Sequence, residues 1–166
     1  MQFFYFDTIH AIKAHDFIIE NSGGRKGTLN VGLVDSVVGH IQNDVYYPLL
    51  EDKLCHLFFS INKNHAFIDG NKRTSIVLSA YFLELNGFDF KVGYFIREME
   101  NIAVLVADNK IDKELLYQII ISILYLQFLN YHLSYYFYLN YNYIYLQIQY
   151  HLTIFQHHTT NILILQ

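Results

Sequence analysis

The charged residues of this chain stop at one point, and that break limits the segment that can form an ordinary globular domain. All 11 basic and all 15 acidic side chains of the 166 residues lie before Leu115. Residues 115–166 carry no charge and no glycine, alanine, proline or valine. Such a biased composition is not typical of a second domain. We therefore predict one domain over residues 1–125, followed by an uncharged, low-complexity tail rich in Tyr, Leu, Ile and Asn over residues 126–166.

The uncharged end of the chain has three interpretations. A membrane anchor needs about 20 consecutive apolar residues, but the run over residues 115–129 is interrupted by Gln118, Ser122 and Gln127, so a membrane location is not expected. Residues 143–154 alternate between apolar and polar side chains, which is the periodicity of a strand. The third interpretation, an extension without a selected fold, is the one we favour, and we assign the tail no function.

The first 125 residues carry the apolar spacing and the end signals of helices. Asp7 and Asn30 are side chains that cap helix starts, while Gly23 and the pair Asn86–Gly87 are typical of helix ends. The predicted helices cover about residues 7–21, 30–41, 49–64, 72–86, 95–108 and 112–126. Because no alternation of strands and helices appears, we predict an all-α bundle of about six helices.

Charge and cysteine content exclude several classes of protein. A net charge of −4 and a pI near 6.1 give no basic field, so a nucleic-acid partner is not expected. The single cysteine, Cys55, excludes an intramolecular disulfide and a multi-cysteine metal site, and we predict that it packs in the core. The N-terminus lacks the basic start and apolar stretch of a secretory signal. We expect a cytoplasmic protein.

The segment 65–73 combines residues suited to binding a phosphate. It is a loop that ends where a helix begins, so the main-chain N–H groups of Gly70, Asn71 and Lys72 are expected to point at one spot, with the helix dipole adding positive potential. Lys72 and Arg73 add charge, and the fork of Arg73 suits phosphate oxygens. The sequence therefore predicts an anion cradle at this helix start.

The same segment offers a base and a metal ligand. His65 has the ordinary pKa of a general base at neutral pH, and Asp69 offers the hard oxygen that Mg²⁺ prefers. Phe67, between these two polar residues, is predicted to bury its ring and anchor the loop. Each residue alone has an ordinary structural interpretation, but seven specified residues in this order arise by chance at only about 10⁻⁹ per position.

In its order of residues, segment 65–73 resembles the Fic/Doc signature: His, Phe, an acidic residue, Gly or Ala, Asn, Gly or Lys, then Arg. The resemblance extends over about residues 6–125 and is closest to the Doc branch, the death-on-curing toxins of bacteria. Further matching positions are His15, Asp16, Gly23, Gly24, Gly32, Leu33, Ser60, Ile61 and residues 82–87. The resemblance implies a Fic/Doc-type helical bundle and an enzyme that uses ATP and Mg²⁺ to transfer part of the nucleotide to a protein Ser, Thr or Tyr hydroxyl.

The family's roles carry over to matching positions. The resemblance implies that His65 deprotonates the target hydroxyl, that Asp69 binds Mg²⁺, and that Gly70, Asn71 and Arg73 hold phosphates. Residues 45–48, with Val45, Tyr46 and Tyr47, match a flap that aligns the target segment.

Two departures from the AMP-transferring members of the family bear on the reaction. Those members usually have glycine where Lys72 stands, and a second arginine where this chain has Ile76. Both differences resemble the Doc branch, whose type member transfers the γ-phosphoryl group as a protein kinase. Gly70, by contrast, matches the AMP-transferring pattern, since that type member has alanine there. We expect phosphoryl transfer, with AMP transfer as the alternative and a catalytically idle binding protein as a second alternative.

The resemblance also bears on regulation. The family's self-inhibiting helix has Ser or Thr followed four residues later by Glu, and that spacing occurs nowhere in this chain. We therefore expect a separate inhibitory partner, as in toxin–antitoxin pairs, which would cover the nucleotide groove.

Overall fold

The computed structural model describes residues 2–125, and six helices make up most of this segment. They are α1 Thr8–Ser22, α2 Val31–His40, α3 Leu50–Lys63, α4 Asn71–Leu85, α5 Asp89–Ala107 and α6 Lys113–Tyr125. No strand occurs in residues 2–125, so the all-α prediction is confirmed. The predicted tail, residues 126–166, lies outside the described residues.

Helices α3 and α4 contribute much of the core and enclose the loop that joins them. α4 packs against α1, α3 and α5. Phe58 of α3 and Phe82 of α4 are completely buried, and the Phe58 ring meets Phe95 of α5 edge to face, with the ring centroids 6.5 Å apart. Each such buried side chain contributes about 1.5 to 3 kcal/mol to stability. The segment 64–70 is therefore held at both ends by rigid, buried helices.

Several predicted helix ends are confirmed at the level of single hydrogen bonds. The Asp7 carboxylate accepts from the N–H of His10 at 2.7 Å and begins α1, and the Asn30 side chain accepts from the N–H of Leu33 at 3.3 Å and begins α2. Gly23 ends α1 with a positive φ of 78°, which glycine adopts without a steric penalty. The sequence signals that cap helices thus predict where α1 and α2 start and where α1 stops.

The turn between α4 and α5 is tighter than predicted. Gly87, at φ 80°, donates its N–H to Glu84 O at 3.1 Å, and Phe88 donates to Leu83 O at 2.9 Å, the pair of bonds that defines a Schellman motif. α5 then begins at Asp89, so the predicted start at Phe95 is wrong. The reason is that Phe88 occupies the N-cap position without a capping side chain, which leaves the sequence without a start signal.

A buried lysine holds the segment between α2 and α3. Lys53 is completely buried, and its Nζ donates to Ile41 O at 2.8 Å and to Asp44 Oδ1 at 2.6 Å. The same ammonium lies 5.2 Å from the centre of the Phe3 ring, a favourable cation–π contact. Lys53 therefore fixes both the N-terminal segment and the chain that leads into residues 45–48.

Among residues 2–125, no helix combines the length and the apolar character that crossing a lipid bilayer requires.

The N-cap of α1 gives a direct test of this architecture. Replacing Asp7 by alanine removes the acceptor for the His10 N–H, and we expect the free energy of unfolding of the full chain to fall by about 1 kcal/mol. Asp7→Asn keeps an oxygen acceptor and should remain close to wild type. Urea unfolding followed by circular dichroism measures both, and equal losses in the two variants would contradict the capping role.

Candidate active site

The loop between α3 and α4 places His65 at the end of a helix. Asn64 is the C-cap of α3, and the next residue, His65, has φ of 49° in the left-handed region. Helices commonly end with one left-handed residue, usually glycine, and histidine tolerates this conformation better than bulkier or β-branched residues. The His65 side chain is exposed and makes no hydrogen bond within residues 2–125. The ring is therefore open to a reacting group from solvent.

Main-chain bonds tie the loop to residues 27–30. Leu29 donates its N–H to Ala66 O at 2.8 Å, and Ile68 donates its N–H to Gly27 O at 3.0 Å, on either side of an isolated antiparallel bridge. Gly27 has φ of 131°, and a Cβ there would lie 2.6 Å from Ile68 Cδ1. Because residues with a side chain rarely adopt this φ, glycine at position 27 favours the main-chain pairing that holds the loop.

Asn71 closes the loop from inside. Its side-chain oxygen accepts from the N–H of Phe67 at 3.1 Å, and its side-chain nitrogen donates to Phe67 O at 2.9 Å. This side chain, which the family resemblance assigns to phosphate, is bound to the loop itself. What residue 71 offers to an anion in this conformation is its main-chain N–H.

The ring of Phe67 is buried, and it rests on a histidine. Its exposure is 1%, and it stacks on the His15 ring with centroids 4.0 Å apart and planes 7° apart. His15 Nε2 donates to the carbonyl of Asp69 at 3.0 Å, and Nδ1 lies 3.0 Å from Asp16 Oδ1. In the sequence, His15 is only a position that matches the family, because no short-range signal shows which loop it contacts.

Asp69 projects an ionised carboxylate at the start of α4. Its Oδ1 accepts from the N–H of Gly70 at 2.6 Å, and Oδ2 accepts from the N–H of Arg25 at 3.3 Å. These two bonds are the largest causes that hold the pKa of the carboxyl below its ordinary value of 3.8; burial opposes them, and the charges of Arg73 and Arg25 each lower the pKa by a smaller amount. The side chain is 44% exposed. A charged, accessible carboxylate is the kind of ligand that suits Mg²⁺.

Arg73 is shared between α1 and Asp69. Its Nη1 donates to Gly23 O at 2.7 Å and to Ser22 O at 3.2 Å, and it also contacts Ser22 Oγ. A guanidinium in this position neutralises the negative end of the α1 dipole. Its Nη2 lies 3.7 Å from Asp69 Oδ1. The Nη2 side of the guanidinium is thus the part that faces the carboxylate.

The predicted anion cradle coincides with the first turn of α4. Gly70 is the N-cap, with φ of 76°, and its N–H is taken by the Asp69 carboxylate. The first helical bond of α4 is donated by Thr74 N to Gly70 O at 2.8 Å. The N–H groups of Asn71 and Lys72 precede this bond, so the helix itself gives them no acceptor. Lys72 is exposed beside them.

The flap residues are held by α3. Val45 and Tyr46 are 86% and 75% exposed, whereas the half-buried Tyr47 places its hydroxyl 3.0 Å from His56 Nδ1. Burial raises the pKa of Tyr47, and burial is also the main cause that lowers the pKa of His56 to about 4. The side chains of Val45 and Tyr46 are therefore exposed. On either side of them, Asp44 pairs with Lys53 and Tyr47 contacts His56.

Cys55 is buried in α3, as predicted. Burial is the main cause that raises the pKa of its thiol to about 12. Because the thiolate is the reactive form of cysteine, this side chain is inert at neutral pH.

Gly70 is predicted to resist substitution more than an isolated left-handed glycine. A Cβ at Gly70 would lie 2.7 Å from Ile19 Cδ1, whereas a Cβ at Gly87, with a similar φ of 80°, meets nothing within 4 Å. We expect Gly87→Ala to cost about 1 kcal/mol of unfolding free energy and Gly70→Ala about 1 to 3 kcal/mol more. Adding Ile19→Val to Gly70→Ala removes Cδ1 and should recover part of the excess, and urea unfolding of these three variants and of Ile19→Val alone decides it. Equal costs for the two glycines would contradict the overlap.

The Asp69 carboxyl is predicted to titrate below pH 3.8. Because its charged form is stabilised in the fold, its contribution to stability is present above the ordinary pKa and is lost as the pH falls through the lowered one. A ¹³C NMR titration of the side-chain carboxyl measures the midpoint. Arg73→Gln should raise the midpoint only partly, since the N–H groups of Gly70 and Arg25 remain. A return to 3.8 in that variant would show that the guanidinium, and not the main chain, holds the charge.

Comparison with known proteins gives a family for this chain. Residues 5–83, which include the whole loop and the flap, match the Fic/DOC family. The chain is 35% identical over 94 residues to the protein named Toxin Doc of Mycolicibacterium smegmatis, covering 54% of this chain and 72% of that protein. It is 30% identical over 79 residues to the protein named Protein kinase doc of Escherichia phage P1, covering 46% of this chain and 63% of that protein. Together with the helical fold and the ordered 65–73 loop, these matches confirm the resemblance seen in the sequence: the chain belongs to the Fic/DOC family, in its Doc branch.

Proposed function

We propose that this protein is the toxin of a toxin–antitoxin pair and that it transfers the γ-phosphoryl group of Mg-ATP to a hydroxyl group of a target protein. The observation that carries the proposal is the shape of the loop between α3 and α4, which main-chain bonds hold to residues 27–30. It presents an exposed histidine with no bonding partner in residues 2–125, and four residues later an ionised carboxylate at a helix N-terminus. Base, metal ligand and anion site are the groups that this transfer needs.

The nucleotide would be held at the start of α4. The Asp69 carboxylate is the proposed ligand of Mg²⁺, which when bound would neutralise phosphate charge. The N–H groups of Asn71 and Lys72, together with the ammonium of Lys72, suit the phosphate oxygens. Because Arg73 uses Nη1 on the end of α1, its Nη2 is the part available to a phosphate beside Asp69. These donors stabilise charge without forming a covalent bond to the nucleotide.

His65 is the proposed general base. Its exposed ring would accept the proton of a Ser, Thr or Tyr hydroxyl as that oxygen attacks the γ-phosphorus, the bond from this phosphorus to the β–γ bridging oxygen breaks, and ADP leaves. The left-handed conformation at residue 65 fixes the main chain from which the ring projects, so the loop and not the ring's own contacts determines its place. The exposed Val45 and Tyr46 would contact the target segment.

Three features favour phosphoryl transfer over AMP transfer. Lys72 and Ile76 both differ from the usual residues of the AMP-transferring members, and one relative is named as a protein kinase. Gly70 is the residue that favours AMP transfer, which we keep as the alternative.

The other relative is named as a toxin, and the missing Ser/Thr-to-Glu spacing fits a separate antitoxin. That partner would be a second chain covering the nucleotide groove.

Labelled ATP distinguishes the reactions. We expect the full chain to transfer label from [γ-³²P]ATP, but not from [α-³²P]ATP, to a protein in a bacterial lysate. Transfer from the α position would show AMP transfer instead. If neither label is transferred while ATP still binds, the protein is an idle binding protein and the enzyme proposal fails.

His65→Ala provides the matched control for chemistry. Removing the base should lower the rate of transfer about 10²- to 10⁴-fold and relieve toxicity in cells that express the protein. His10→Ala, at an exposed histidine of α1, should retain both activities. A His65→Ala variant as active and as toxic as wild type would contradict the assigned base.

A further inference from the structure

We propose that His15 is a positioning residue, which fixes the Asp69–Gly70 peptide so that its N–H points toward the anion side of the site. The effect of His15 on catalysis rests on the function proposed above, but the geometry does not. His15 lies outside the 65–73 motif, on α1, 54 positions before the residue whose carbonyl it contacts.

The His15 ring is fixed on three sides. It is completely buried, its face stacks on Phe67, and its two nitrogens each lie 3.0 Å from an oxygen, one on Asp16 and one on the Asp69 main chain. A carbonyl oxygen only accepts hydrogen bonds, so Nε2 is the donor to Asp69 O, while Nδ1 faces the Asp16 carboxylate. A ring held in this way cannot turn to follow a moving loop.

The planarity of the peptide bond transmits this constraint to the site. In a trans peptide the C=O and the following N–H point in opposite directions. Because the Asp69 carbonyl is drawn inward to His15 Nε2, the N–H of Gly70 must point away from α1. There it meets Asp69 Oδ1 at 2.6 Å. The imidazole on one side of the peptide thus sets the direction of a donor on the other side.

Close packing against α1 also restricts movement of the Asp69–Gly70 peptide. A Cβ at Gly70 would lie 2.7 Å from Ile19 Cδ1 and 3.6 Å from His15 Nε2, so the peptide rests directly on α1. Ile19 follows His15 by one helical turn and a fraction, on the same buried face. The peptide therefore packs directly against α1, and the His15 Nε2–H forms a hydrogen bond that attaches it to this helix.

Three variants separate the role of each contact. His15→Gln places an amide donor close to the position of Nε2, His15→Asn places one close to the position of Nδ1, and His15→Phe keeps only the stack on Phe67. If the bond to the Asp69 carbonyl is what matters, Asn and Phe should lower kcat for label transfer by about 10- to 100-fold. The Gln variant should keep most of it, with KM for the target protein unchanged in all three. His10→Gln on the same helix is the matched control.

The ¹H–¹⁵N resonance of Gly70 gives a readout independent of activity. An N–H bound to a carboxylate at this distance makes a strong, charge-assisted hydrogen bond, so its proton should lie at low field in the wild type. We expect it to move toward the random-coil position in the Asn and Phe variants and to stay in the Gln variant. The same resonance position in the Phe variant and the wild type would overturn the inference, as would equal losses of transfer in Gln and Phe. If the wild type transfers no label, the proposed function fails, and the resonance still decides the role of His15.

Discussion

Two left-handed residues within six positions are the constraint on which this site depends. The chain must leave α3 and enter α4 through a short loop, and it does so with φ of 49° at His65 and 76° at Gly70. Non-glycine residues persist in this region only where the surroundings hold them. Here the surroundings are the two Asn71 bonds to Phe67 and the main-chain pairing with residues 27–30. The proposed base and the proposed metal ligand are therefore placed by the main chain, and their side chains are left accessible.

Short-range signals predicted most of the fold. The caps of α1 and α2 depend on bonds between residues three apart, so Asp7 and Asn30 could be predicted from the sequence, as could the loop of segment 65–73 that ends at a helix start. The features that could not be predicted are of two kinds: contacts between residues distant in the sequence, and a helix start without a capping side chain. Phe88 begins α5 without a polar cap. His15 and Arg73 act on elements more than 50 positions away, and an isolated histidine or arginine gives no sign of its partner.

Asp69 and Arg73, the two charged side chains that face each other at the site, each also bind main-chain groups. Arg73 divides its donors between the carbonyls that end α1 and the Asp69 carboxylate, so it supports the fold and the site together. The Asp69 carboxylate depends first on two main-chain N–H groups and only then on guanidinium charges. Main-chain donors are rigid and require no side-chain ordering, whereas exposed ion pairs contribute little and are screened by salt. The ionised state of the proposed metal ligand is thus a property of the loop's shape.

This arrangement also links the proposed metal ligand to the proposed anion cradle. The N–H of Gly70 has one proton to donate, so a phosphate oxygen and the Asp69 carboxylate compete for it. If the Asp69 carboxylate moved toward a bound cation, it would release the Gly70 N–H. A phosphate oxygen could then accept the hydrogen bond in its place. The direction of that N–H is set by His15 and not by either acceptor, so the exchange needs no movement of the main chain. A site built in this way has its donor oriented before the nucleotide arrives, which is where preorganised electrostatics lowers a barrier most.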